Sequence, residues 1–196
     1  MADLREAPAP TSEARQRILD HAYELFSHRG VRAVGVDELI DSAGVAKATF
    51  YKHFPSKDDL VLAFLKQREK RWTKEWVEAE AKRRGDDPEE QLLAIFDLFD
   101  EWFHKDDFEG CSFINVFLEF NGTDGEKLAR ASAAHLENIR EVVRTLAEEA
   151  SLRDPAGFAM SWHILMKGSI VQAGEGDLEA ARRAKALGQL LIEQHR

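Results

Sequence analysis

The sequence predicts an all-α fold, and three observations predict it. Apolar residues recur at helical spacing of three and four, no stretch alternates as a strand does, and Gly and Pro fall between the periodic stretches rather than inside them.

The elements follow in order. TSEARQRILDHAYELFSHRG reads as the first helix, with Ser12 as N-cap and Ile18, Leu19, Ala22, Leu25 and Phe26 as one apolar stripe. Gly30 closes it, in a position where left-handed backbone suits a residue without Cβ. Residues 1–12 are polar and proline-bearing, have no apolar stretch of the signal-peptide kind, and are expected to form a flexible arm. A short second helix, VDELIDSA, turns Val36, Leu39, Ile40 and Ala43 inward. Gly44 makes the turn into a third short helix, about Lys47 to His53, which Pro55 ends. Ser56 caps a fourth helix, 57–84, with Asp59 completing a capping box. Leu60, Phe64, Leu65, Trp72 and Trp76 mark its apolar side. The charged, Gly- and Pro-bearing RRGDDPEE (83–90) is the clearest break in the chain. Helices at about 88–105, 110–121, 125–150, 155–173 and 177–195 follow, separated by Gly110, NGTDG, RDP and GEGD.

Composition narrows the class. With 44% apolar and 32% charged residues the chain suits an ordered soluble protein, and no apolar run approaches the roughly 18–20 residues of a membrane span. A single cysteine, Cys111, cannot form an internal disulfide, so a reducing cytoplasm is expected. The net charge of −9 argues against nucleic acid only until its distribution is seen. Residues 1–84 hold 16 Lys/Arg against 14 Asp/Glu, while residues 85–196 hold 11 against 22. The front of the chain can therefore present a basic face.

Two short helices joined by a Gly turn, braced by a longer helix before them, make a helix-turn-helix whose second helix can lie in a major groove. Lys47 and Thr49 sit where such a helix meets base edges, and Ala48 is small enough to allow close approach. Tyr51, Lys52 and His53 carry donors for phosphate oxygens. The N–H groups opening the fourth helix, with Lys57 beside them, are a further phosphate site. Phe50 and Phe54 are assigned to packing on the first helix.

ILDHAYELFSHRG followed by VDELIDSAGVAKATFYKHFPSKDDLVLAFL resembles the DNA-binding domain of the TetR family of transcriptional regulators over about residues 14–65. GCSFIN (110–115) matches a pattern common in one branch of that family. The resemblance implies a helix-turn-helix DNA-binding domain at 13–58, connected through the helix at 57–84 to a helical ligand-binding and dimerisation domain at 59–196. It implies a homodimer on a palindromic double-stranded operator, released by a small-molecule effector, with repression as the expected outcome. Its DNA contacts carry over onto Arg15, Lys47, Thr49, Tyr51, His53 and Lys57. Two positions depart from the pattern: Gly35 and Ala46 stand where the second and third helices usually begin with a hydroxyl residue.

For the C-terminal part, the aromatic residues Phe96, Phe99, Trp102, Phe103, Phe113 and Phe117 are candidates for the wall of an effector pocket. Asn115, Glu119, Asn138 and His163 are candidates for its polar groups. No Arg or Lys cluster marks this set, which points to a neutral or cationic apolar effector. The last two helices are expected to pair into the dimer interface through Trp162, Leu165, Met166, Leu187, Leu190 and Leu191, with Ala159, Gly168, Ser169 and Ala173 allowing close approach. None of the seven histidines makes a His-x-x-x-His pair, so no metal site is expected, and no cofactor. Cys111 opens a helix, where a thiolate is favoured, yet a buried free cysteine is commonly plain packing. Phosphate-loop and nucleophile-elbow motifs are absent, so no enzyme is read here. The alternative reading is a constitutive DNA-binding or interaction protein whose C-terminal domain senses nothing.

Overall fold

Glycine, proline and short polar caps decide where the helices of this chain end, and its apolar stripes decide what they pack on. The computed structural model describes residues 10–196; of the expected arm at 1–12, residues 1–9 lie outside them and residues 10–12 belong to the first helix. The first helix, α1 (Pro10–Arg29), begins ahead of Ser12, so Ser12 is a helical residue and not the cap. Proline suits a first helical position, where the missing N–H would have had no partner.

Helix α2 (Val36–Ala43) ends at Gly44, which is left-handed at φ 60°, ψ 43°. The Gly44 N–H reaches the Asp41 carbonyl and the Val45 N–H the Ile40 carbonyl, closing the helix as a Schellman-type turn. Helix α3 (Lys47–His53) follows at once. Ile18, Ala22 and Phe26 of α1, Leu39 of α2, and Phe50 and Phe54 enclose one small core. Phe64 of the next helix stands edge-on to Tyr23 and Phe26, with ring centroids 5.6 and 5.5 Å away.

That next helix, α4 (Lys57–Arg68), opens on the expected cap: Ser56 Oγ accepts from the Asp59 N–H at 3.1 Å and donates to the Asp59 carboxylate at 2.7 Å. It passes without a break into a π-helical stretch (Glu69–Glu78) and a final α-helical turn, α5 (Ala79–Arg84). The Ala79 N–H bonds to the Lys74 carbonyl five residues back, the widened repeat of a π-helix. The sequence predicted the length of this rod but not its widened middle.

The charged break at 83–90 is a tight turn rather than a linker. Asp87 caps α6 (Pro88–Phe103) by accepting from the Glu90 N–H, and Arg84 of α5 pairs with Glu101 of α6 at 2.6 Å. Helix α7 (Ser112–Phe120) and the long α8 (Glu126–Glu149) pack together, and α8 also contacts α4, α6 and α9 (Pro155–Gly174). The last helix, α10 (Ala180–His195), pairs with α9 and α6. Lys185 to Asp97 at 2.7 Å and Arg182 to Asp100 at 3.2 Å tie it to α6. Among the described residues no helix is long and apolar enough to cross a membrane.

Candidate functional site

The α3 helix is held from behind and open in front. Phe50 and Phe54 are buried, so the backbone register turns Lys47, Ala48, Tyr51 and Lys52 outward, with Thr49 and His53 at the edges of the exposed face. Tyr51 is 42% exposed and leans edge-on to Phe50, a posture that leaves its hydroxyl free to reach outward. Arg15 lies over the Phe54 ring at 4.9 Å, so α1 contributes a cation from the flank. Lys47 is 3.5 Å from Asp37, with both side chains mostly exposed, a contact weak enough to yield to a phosphate or base. Gly35 and Ala46 are the N-caps of α2 and α3, and neither helix start has a side-chain cap. The missing hydroxyls leave those first N–H groups open.

Lys57 and the start of α4 are placed otherwise than a phosphate site requires. Lys57 Nζ donates to the Val31 carbonyl at 2.6 Å. Burial lowers its pKa below the ordinary lysine value, with Glu119 and Asp58 opposing and Arg32 reinforcing the shift. The Ser56–Asp59 capping box and the acidic Asp58 occupy the helix start. In this structure Lys57 ties the start of α4 to the loop after α1.

Glu119, expected to be a pocket group, is also a strut. Its carboxylate accepts from the Val31 N–H at 3.2 Å and the Arg32 N–H at 3.0 Å. Arg32 returns bonds to the Glu119 carbonyl and to Thr123, and stacks on Phe120 at 4.8 Å. Gly30 (φ +79°) suits glycine because its backbone is left-handed, and a Cβ there, 2.5 Å from Glu119 Oε1, would also push the carboxylate off its backbone donors. The loop after α1 is thereby fastened to the C-terminal end of α7.

The expected aromatic pocket wall is mostly solid. Phe96, Phe99, Phe103 and Phe113 are all but sealed, because they interlock with one another and with Trp72, Trp162 and His135. Open space lies elsewhere. A cleft of about 270 Å³ sits between Tyr23 and Ser27 of α1, Trp72 and Trp76 of the π-helical stretch, and Trp102 of α6. A groove of about 610 Å³ runs over α7, α8 and α9, past Ile114, Phe117 and Val171. Arg130, Arg140 and Lys167 border it together with Glu137, which pairs with Arg140 at 3.5 Å, so the groove has a net basic rim that sequence spacing did not reveal. Of the expected pocket residues, Trp102 reaches the cleft and Phe117 the groove. Asn115 borders a third depression beside Cys111. Asn138 is exposed on α8 and donates to Glu69.

His163 is buried with its Nδ1 unpartnered among the described residues. Burial, aided by the nearby Lys167 and Arg140 cations, pushes its pKa down to about 3, so it is neutral at physiological pH. Burial pushes the Cys111 thiol up, away from the thiolate a sensor needs. Glu101 and His104 have Glu-x-x-His spacing, but Glu101 pairs with Arg84 and His104 Nδ1 contacts the Asp100 carbonyl. Among the described residues no group of three His, Cys, Asp or Glu is placed to hold an ion.

The expected interface residues divide. Trp162 and Met166 are buried inside the subunit, packed in its core, and cannot face a partner. Leu165 and Leu191 are half-buried. Leu187 and Leu190 are exposed on α10, and Met160, Ile164 and Val171, not picked from the sequence, are exposed on α9. Ala159, Ser169 and Ala173 pack inward, and only Gly168 of the small residues shares the exposed face.

Residues 18–64 match the family described as bacterial regulatory proteins, tetR family. Over 58 residues the chain is 47% identical to the HTH-type transcriptional activator FasR of Mycolicibacterium smegmatis, covering 30% of this chain and 26% of that protein. Over 50 residues it is 42% identical to the HTH-type transcriptional repressor KstR2 of Rhodococcus jostii, covering 26% and 24%. These curated relatives are thus matched over about a quarter of their length. Along nearly the whole chain, the crystal structure of a TetR-family transcriptional regulator from Streptomyces coelicolor superposes with a TM-score of 0.82 at 26% identity, covering 94% of this chain and 96% of that one.

Proposed function

We propose, from the premise that this chain is a TetR-family protein, that it is a transcriptional regulator acting as a dimer on a palindromic operator and released by a small, largely apolar effector. The carrying observation is α3: a short helix pinned by Phe50 and Phe54, with Lys47, Thr49, Tyr51 and His53 along its open side. A helix so held reads one half-site, and a second copy supplies the other, with half-site centres about 34 Å apart or a multiple of that. The apolar strip formed by Met160, Ile164, Val171, Leu187 and Leu190 supports dimerisation, because water-facing side chains of this size on two adjacent helices suit a self-complementary two-fold contact. Repression is the reading for operator occupancy, although the relatives' names include both an activator and a repressor. The protein is a cytoplasmic regulator in this reading, not an enzyme.

Selection of bound sequences from a random DNA pool tests it. The expected result is enrichment of a palindrome, and retention of no sequence at low salt would refute the reading. A reporter placed behind the selected site then distinguishes repression from activation. The sealed core around Phe96, Phe99 and Phe103 favours one second reading, a constitutive DNA binder. A screen in which no small molecule changes operator affinity would select it.

A further inference from the structure

The cleft between α1 and the π-helical stretch has the features of a recognition site rather than of imperfect packing. Two residues of its lining, Ser27 and Trp72, carry a buried polar atom without a hydrogen-bond partner among the described residues, Oγ and Nε1, each just behind the cleft surface. Ser27 is 5% exposed and Trp72 7%, so bulk water does not stand in for the missing partners. Leaving such a group unmatched costs about 1–3 kcal/mol. Three indole rings, Trp72, Trp76 and Trp102, stand with mutual centroid distances of 5.4 to 5.9 Å and form one aromatic wall. Tyr23 of α1 closes the other side.

The cations around this wall are all matched by carboxylates. Arg68 pairs with Glu109 at 2.7 Å and donates to the Tyr23 hydroxyl at 3.0 Å. Arg71 pairs with Asp20 at 3.0 Å, and His28 lies 3.8 Å from Glu24. Lys105 and Asp107 add one charge of each sign. An anionic ligand would meet no uncompensated cation there, and Glu24, whose partner is His28 rather than an Arg or Lys, is 70% exposed to solvent.

We propose that this cleft is the effector site, and that it takes an uncharged, flat, two-ring aromatic compound carrying a hydrogen-bond acceptor. An indole N–H only donates, so the group that meets Trp72 Nε1 has to accept. The Ser27 hydroxyl serves as a second donor. A dry cavity of roughly 150 Å³ holds benzene, so about 270 Å³ suits two fused rings. Offset or edge-on contact with the indoles supplies the rest of the affinity. This proposal rests on the ligand-responsive reading above and names the ligand class. Its regulatory consequence follows from position, because the ligand touches α1 of the DNA-binding domain and α6 of the C-terminal domain together. A compound that binds one relative placement of these helices better than another shifts the population of reading heads.

The test uses the full chain, with quinoline and naphthalene as probes. They are the same fused rings with and without an acceptor nitrogen. Both are titrated below the solubility limit of naphthalene, at mildly alkaline pH where quinoline is neutral, and followed by quenching of tryptophan fluorescence. Three of the four tryptophans line the cleft. Quinoline is expected to bind at least tenfold more tightly than naphthalene. Trp72→Phe, which keeps the ring and removes the donor, is expected to bring the two affinities together. Ser27→Ala should weaken quinoline alone, and Trp162→Phe, away from the cleft, should leave both unchanged. Equal affinity of the probes for the wild type, no quinoline binding, or discrimination that survives both Trp72→Phe and Ser27→Ala would overturn the proposal. Operator binding is measured separately by anisotropy of labelled DNA. DNA that binds and is released by some other compound, with no quinoline effect, would overturn the site while leaving the regulatory reading intact. Quinoline binding to a protein that retains no DNA would do the reverse.

Discussion

Replacing Glu119 with Ala should loosen the reading head from the body of the protein without touching any residue that faces DNA. The wild-type carboxylate receives two backbone donors, Val31 N–H at 3.2 Å and Arg32 N–H at 3.0 Å. Hydrogen bonds to a charged group contribute about 1.5–3 kcal/mol each, and a buried donor left without a partner costs about 1–3 kcal/mol. Val31 is buried, whereas the Arg32 contact is exposed and water replaces it cheaply. The net loss is therefore about 2–4 kcal/mol, set mainly by the Val31 bond. Urea denaturation gives the stability change, and hydrogen exchange gives its location. The amides of Val31 and Arg32 should lose protection first, while those in the middle of α8 follow the global change. Glu119→Gln should fall between wild type and Ala, since it offers one acceptor and an amide group that repels the second donor. A change within 0.5 kcal/mol of zero (roughly the limit for an ordinary surface substitution), with Val31 and Arg32 still protected, would refute the strut.

Protonation of His163 should make the fold acid-sensitive. Its folded pKa of about 3 lies below the ordinary histidine value of 6.5, so the unfolded chain binds the extra proton. The contribution is present above pH about 6.5 and is lost as pH falls toward 3, at up to about 1.4 kcal/mol per pH unit. Denaturant melts across that window should show a shallower slope for His163→Leu, and parallel slopes would count against a neutral buried ring. Ile164→Asp or Leu190→Arg should yield monomers by analytical ultracentrifugation with unchanged helicity, whereas Trp162→Ala should cost about 3–5 kcal/mol of subunit stability. If Trp162→Ala dissociated dimers without destabilising the subunit, the packing of α9 described above would be wrong. Lys47→Ala should lower the salt dependence of DNA binding by about one ion and change base preference. Lys57→Met should leave the salt slope alone and lower stability, because its ammonium is held by the Val31 carbonyl. An equal fall in salt slope for both lysines would return Lys57 to the DNA face.

The helices were legible because single residues punctuate them. Gly30, Gly44, Pro55, Pro88 and Pro155 stand at or next to helix boundaries, and each acts through its own backbone chemistry. The face of α3 was legible for the same reason: seven residues leave little choice once Phe50 and Phe54 are placed inside. Helix α9 was not. Phe158, Met160, Trp162, Ile164, Leu165, Met166, Ile170 and Val171 make it apolar on every side, so periodicity has no contrast from which to choose the face that meets solvent. Trp162 was assigned to the interface by size, yet it lies against Phe96 at 5.1 Å and Phe158 at 5.3 Å inside the subunit. The cleft was invisible for a different reason. Ser27, Trp72 and Trp102 are far apart in sequence and only the packing of α1 on the π-helical stretch and α6 brings them together.

Val31 shows how long-range contacts would carry the effector response proposed above. Its N–H is taken by Glu119 from α7, and its carbonyl is taken by Lys57 from α4. One residue thus joins the end of α7, the start of α4 and the loop that leads into α2. The same α4 continues into the stretch that carries Trp72 and Trp76. A displacement of that stretch by a ligand has two routes to α2 and α3: along α4 through Lys57, and through α1, which both lines the cleft and packs on α3. The Glu119 contact anchors the loop to a third element that the cleft does not touch. Removing it should therefore leave effector affinity nearly unchanged while altering how much operator affinity each bound effector removes. Pairing Glu119→Ala with operator titrations, with and without effector, measures that coupling directly, because linkage requires any change in it to appear identically in the ratio of the effector's affinities for free and DNA-bound protein. An unchanged coupling would mean that the head moves with α1 and α4 alone and that Glu119 serves stability only.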